Sequence, residues 1–112
     1  MTYHIDFSSV AKAEADAAFL ILSQFTTGER AQTWYQGLID AIVSLQKMPQ
    51  RCAIAREDAF FTQEIRQLLY RQGKQTYRIL FTVLENQTIP TVRILHIRHA
   101  AQKTIGEPEV ED

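Results

Sequence analysis

Large apolar and polar residues alternate over Tyr3-His4-Ile5-Asp6-Phe7, which predicts a short strand, because successive side chains of an extended chain point to opposite faces. Ser8 and Ser9 follow and offer an N-cap, since a serine oxygen accepts from the unpaired N–H groups of a first helical turn. Val10, Ala13, Ala17, Leu20, Ile21 and Phe25 then recur at helical spacing, predicting an amphipathic helix whose apolar side is rich in alanine and suited to close packing. Thr26-Thr27-Gly28-Glu29 breaks it, with Thr26 and Glu29 at capping-box spacing. The strongest helical period comes next: Ala31, Trp34, Tyr35, Leu38, Ile39, Ile42 and Leu45, stopped at Met48-Pro49. Trp34 and Tyr35 fit helix packing better than base stacking. Two consecutive helices with a short turn predict an antiparallel hairpin.

The stretch 49–64 has no sustained period and is expected to be a loop with at most one helical turn. Three strands are predicted after it, at 64–70, 76–84 and 91–98, separated by turns at Gln72-Gly73-Lys74-Gln75 and at 85–90. The central one places Tyr77, Ile79, Phe81 and Val83 on one face and Arg78, Leu80, Thr82 and Leu84 on the other. Apolar residues on both faces predict that both are at least partly covered. The element order β-α-α-β-β-β implies an α+β fold, a helical hairpin packed on a small, mainly antiparallel sheet. The first strand can join that sheet only after the helices cross it.

A chain of 112 residues fits one domain, assigned here to residues 1–101, with an acidic, flexible tail at 102–112. One cysteine, Cys52, rules out an intrachain disulfide and is compatible with a reducing compartment. The N-terminus lacks the basic-then-apolar order of a signal peptide, and no apolar run is long enough to span a membrane. The expectation is a cytoplasmic protein.

The net charge of −1 conceals a segregation. Residues 65–106 hold Arg66, Arg71, Lys74, Arg78, Arg93, Arg98 and Lys103 against Glu85 alone, while Glu107, Glu109, Glu111 and Asp112 follow. Such separation points to an anionic partner or, equally, to an ordinary solvated face. Arg78 lies on a covered face, where a guanidinium cannot remain unpaired. Either an acid pairs with it or it reaches the rim and meets an anionic ligand. Arg66 poses the same choice, with Glu64, Glu57 and Asp58 as its candidate partners. His96, Arg98 and His99 gather at the end of the last strand. Histidine can exchange a proton near neutrality and arginine can stabilise a phosphorane-like charge, so Arg66, Arg78, Arg98 and His99 are candidate catalytic residues if the chain cuts RNA. Ordinary strand roles compete with that reading at each position. No zinc set or nucleotide-binding loop is present in the sequence, and no metal or cofactor is expected.

The blocks Glu64-Ile65-Arg66-Gln67-Leu68-Leu69-Tyr70, Tyr77-Arg78-Ile79-Leu80-Phe81 and Val92-Arg93-Ile94-Leu95-His96-Ile97-Arg98-His99 resemble the sheet of RelE/ParE toxins. The helix from Ala31 to Leu45, ending in Leu45-Gln46-Lys47-Met48-Pro49, resembles theirs as well. The resemblance spans Tyr3 to about Ala101 and rests on the order and spacing of short motifs. It implies the toxin of a type II toxin–antitoxin pair, causing growth inhibition, serving plasmid stabilisation and silenced by a cognate antitoxin. A homodimer, or a heterotetramer with the antitoxin, is among the implied assemblies. RelE-like members cut mRNA on the ribosome, while ParE-like members poison DNA gyrase and have no established hydrolytic chemistry. The Tyr77-Arg78 pair matches the family pattern, and a catalytic role for Arg78 follows only if the chain is a nuclease. No tyrosine follows His99, which departs from RelE, although some superfamily nucleases use histidine there. A pI near 6.3 suits a ribosomal RNA ligand poorly, because phosphate neutralisation dominates such binding. The resemblance therefore favours a ParE-like gyrase inhibitor over a RelE-like endonuclease. An inert module that only binds the antitoxin is the third reading.

Overall fold

The computed structural model describes residues 2–106. Its elements are β1 (His4–Phe7), α1 (Ser9–Phe25), α2 (Gly28–Val43), β2 (Arg66–Gln72), β3 (Gln75–Leu84) and β4 (Thr91–His99). The four strands form one sheet in the order β1-β4-β3-β2. β2, β3 and β4 make an antiparallel meander, and β1 lies parallel to β4, with His4 opposite Thr91 and Phe7 opposite Ile94. This is the α+β fold that the hydrophobic pattern predicts.

Ser8 ties the first turn of the molecule together. Its Oγ accepts from the Ala11 N–H, capping α1, and donates to the Leu95 carbonyl, while its own N–H donates to Ile94 O. The second helix begins one residue later than the capping-box spacing implies. Thr27 is its N-cap and accepts from the Arg30 N–H. Thr26 is not available, because its N–H closes the last turn of α1 on Leu22 O.

The largest core cluster lies between the helices and one sheet face. Leu38, Ile42 and Leu45 from the second helical run meet Ile79, Phe81, Val92 and Ile94 from the sheet. Trp34 sits 5.0 Å from Tyr77 and 6.2 Å from Tyr70, ring centre to ring centre. Tyr70 donates its hydroxyl to the Trp34 carbonyl at 2.9 Å. This close approach depends on Gly37, where a Cβ would come 2.2 Å from the Tyr70 hydroxyl.

The opposite sheet face carries a smaller cluster of Ala55, Ile65 and Leu80, with Leu95 and Ile105 against it. Both faces are therefore covered, as the β3 pattern predicts. The cover comes from 49–64, which folds into 3₁₀ turns at Pro49–Arg51 and Arg56–Phe60, and from the segment after β4. Of the residues expected to form a tail, 107–112 lie outside the described residues, while Ile105 packs in this cluster.

β2 starts two residues later than the sequence pattern suggests. The Ile65 N–H is held by Asp58 Oδ1 and its side chain is buried in the smaller cluster, so extended pairing begins at Arg66. The β2–β3 turn is also tighter than expected. Gln72 pairs with Gln75, leaving only Gly73 and Lys74 as the loop, and Gly73 adopts a φ of 63° that suits glycine. Between Leu80 and Phe81 the β3–β4 register slips, so that Leu95 is an extra residue on β4.

Candidate functional site

Cross-strand partners share a sheet face, so register sorts the four candidate residues. Arg78 pairs with Arg98, which puts both on the face away from the helices. His99 pairs with Tyr77, and Arg66 with Phe81, which puts both on the helical face. The structure thus brings Arg78 and Arg98 together and separates them from Arg66 and His99.

Each of the four already has partners. Arg78 is buried, with its guanidinium closing a bidentate pair on Glu57: Nη1 to Oε2 at 2.8 Å and Nη2 to Oε1 at 2.5 Å. Its Nε also donates to Gln67 Oε1 at 3.0 Å. Burial opposes ionisation of Glu57, yet hydrogen bonds from Arg78, from its own backbone and from the Ile105 N–H, with the Arg78 charge, outweigh it. They hold the carboxyl below the ordinary glutamate value. Of the two readings left open for Arg78, the acidic partner is the one observed.

Arg66 donates to Glu64, one of its three expected partners, and to the carbonyls of Gln50 and Cys52. Arg98 donates to Lys103 O at 2.9 Å and lies 3.9 Å from Glu14. The His99 ring is engaged at both nitrogens. Nδ1 accepts from the Ala101 N–H, which leaves Nε2 to donate to Gln75 Oε1. Tyr77 stacks edge-on against it at 5.3 Å.

These pairs consume much of the cationic segment. Arg93 is also paired, with Asp6 at 3.0 Å. Glu57, named from the sequence as a candidate partner of Arg66, pairs with Arg78 instead, and Glu14 is a side chain that the sequence pattern does not expose. Glu57 sits in a stretch without period. Glu14 lies on α1 and accepts from His96 Nδ1 and from the Ile97 N–H, each at 3.1 Å. It thereby closes the β4 edge beyond the end of β1.

The first helix presents a correction. The apolar side read from its spacing faces outward: Val10 is 49% exposed, Leu20 62%, Ile21 57% and Phe25 82%, with Ala13 and Ala17 also exposed. The inner side is formed by Ala11 and Ala15, with Ala18, Phe19 and Leu22 partly buried. α1 is apolar on two sides. The smaller stripe won the core position because alanine at 11 and 15 lets the helix backbone approach the sheet, leaving the larger side chains outside. The outer stripe borders a cleft of about 280 Å³ lined by Ala17, Ile21, Tyr77, Ile97 and His99. No helix among the described residues is long and apolar enough to cross a membrane.

No family model and no curated protein matches this sequence. Among solved structures, a chain from "Chromosomal ParDE TA system from P. aeruginosa" is similar, with a TM-score of 0.66 and 16% identical residues over 88% of this chain and 96% of that one. The helical hairpin backing a four-stranded sheet is therefore a fold that this chain shares with a chain of that ParDE system.

Proposed function

We propose that this chain is the toxin of a type II toxin–antitoxin pair, that it acts in the ParE-like manner on DNA gyrase, and that a cognate antitoxin silences it. The observation that carries the reading is the bare apolar face of α1, from Val10 to Phe25, on a fold shared with a ParDE chain. Contiguous exposed apolar surface on a small protein is a mark of a partner site. Its partner on this reading is an amphipathic segment of the antitoxin, laid along the stripe.

The choice of target rests on Arg78. A nuclease would present this arginine to the scissile phosphate, but Glu57 neutralises it in a buried pair. His99, with both ring nitrogens engaged, lacks an open site for proton transfer. Arg66 and His99 also lie across the sheet from Arg78 and Arg98. These placements favour a protein target over RNA cleavage.

The test is gyrase supercoiling with purified protein, run beside cleavage of ribosome-bound message. The expected result is blocked supercoiling, relieved by the antitoxin, with message intact. Cleavage of message without any effect on supercoiling, abolished by Arg78→Ala, overturns the choice of gyrase. A chain that binds the antitoxin but affects neither target is the inert module instead.

A further inference from the structure

α1 ends at Phe25 and α2 starts at Gly28, and this turn lies at the same end of the molecule as the β2–β3 turn at Gly73-Lys74. Between the two turns is a cleft of about 460 Å³, a size that suits a small molecule. Leu22 lines it from α1, Arg30 and Trp34 from α2, and Gln72 and Gln75 from the strands. Arg71 stands apart, because it pairs with Thr76 two residues along from the Leu69–Arg78 pair and so shares the other sheet face. Among the described residues the lining therefore holds one cation, Arg30, and no carboxylate.

Donors outnumber acceptors around this cleft. Arg30 is exposed and forms no ion pair among the described residues. Trp34 is 4% exposed, and its indole Nε1–H is buried with no acceptor among the described residues. An unpaired buried N–H costs free energy that an incoming acceptor recovers. Gln75 commits its side-chain oxygen to His99 Nε2, which leaves its NH₂ to donate. Leu22 and the indole ring make the apolar part of the wall.

We propose that this cleft binds a small monocarboxylate with a short apolar body. One carboxylate oxygen pairs with the Arg30 guanidinium and the other accepts from Trp34 Nε1–H, while the apolar body lies against Leu22. A phosphate group carries close to two charges, which a lining with one cation does not match. No step of this involves gyrase or an antitoxin, so it stands apart from the toxin reading.

Trp34 is the only tryptophan in the chain, so its indole N–H gives a single NMR peak of known origin. The test follows that peak in the full chain during titration with hexanoate at fixed ionic strength. The expected result is a saturable downfield shift with a Kd on the order of 1 mM, as suits a ligand of about eight non-hydrogen atoms. Arg30→Gln should raise that Kd about tenfold. Lys47→Gln removes an exposed cation outside the cleft and should leave the Kd within about twofold. Hexanamide, which has the same body without the charge, should leave the peak in place. An indole peak that hexanoate does not move overturns the proposal, and an upfield position would then put the N–H on the Tyr77 ring, whose centre is 5.0 Å away. A shift that Arg30→Gln leaves unchanged overturns it too. Tighter binding of inorganic phosphate than of hexanoate also overturns it, since the cleft would then select a different anion.

Discussion

Arg78 and Glu57 face each other across 21 positions of sequence in a bidentate ion pair, with side chains 5% and 0% exposed. Breaking such a pair from one side strands a buried charge. Glu57→Ala should therefore cost about 3–5 kcal/mol in urea unfolding, whereas Arg78→Met/Glu57→Leu should recover most of that loss. A double variant no more stable than Glu57→Ala would show that the pair's shape, not its charge balance, holds this face.

The same pair sets an acid limit. The Glu57 carboxyl sits below its ordinary value of 4.5 in the fold, so the unfolded chain takes up the proton first as pH falls. The pair's contribution is thus complete above about pH 4.5 and is lost as pH falls from there through the lower folded value. Unfolding free energy measured from pH 6 to pH 3 should decline more steeply in wild type than in Arg78→Met/Glu57→Leu. Parallel profiles would assign the acid loss to other carboxylates.

Gly37 and Tyr70 form a second point of dependence. A Cβ at position 37 would meet the Tyr70 hydroxyl at 2.2 Å and the ring carbon that bears it at 3.0 Å. Gly37→Ala should destabilise by about 1–3 kcal/mol, the usual cost of overpacking. Tyr70→Phe removes the oxygen and its bond to Trp34 O, at about 1 kcal/mol. Because the clash is chiefly with that oxygen, Gly37→Ala should cost less in the Tyr70→Phe background. Strict additivity in the double-mutant cycle would place the strain elsewhere, for instance in the helix backbone.

The legible parts of this molecule are those governed by a local period. The α2 stripe from Ala31 to Leu45 and the two faces of β3 follow from spacing, because one buried side forces the repeat. The helical hairpin and the meander then follow from order and loop length. The illegible parts depend on tertiary choice. α1 has two apolar stripes, and periodicity does not say that Ala11 and Ala15, not Leu20 and Ile21, face the sheet. Glu57 lies in a 3₁₀ turn whose position against Arg78 is set by the covering loop, with no period to announce it. The separation of Arg66 and His99 from Arg78 and Arg98 needs the register, which the two-residue turn at Gly73-Lys74 fixes between β2 and β3 and which the slip at Leu80/Phe81, with Leu95 as the extra residue, alters between β3 and β4.

The outer stripe of α1 yields the prediction closest to function. Leu20 and Phe25 are more than half exposed, so Leu20→Glu and Phe25→Glu should leave the unfolding transition within about 0.5 kcal/mol of wild type. On the toxin reading they lie under the antitoxin, where a carboxylate pressed into an apolar contact has no partner. The loss should be about 2 kcal/mol or more for each, roughly a thirtyfold rise in Kd by titration calorimetry. Toxicity should persist in these variants while rescue by co-expressed antitoxin fails, because the antitoxin contact is lost and the fold is kept. Lys12 and Asp16 are also exposed on α1 but lie off this stripe, and substitution to alanine there should leave antitoxin affinity within about threefold. If all four positions behave alike, the antitoxin does not sit on this stripe, and the bare face of α1 needs another partner.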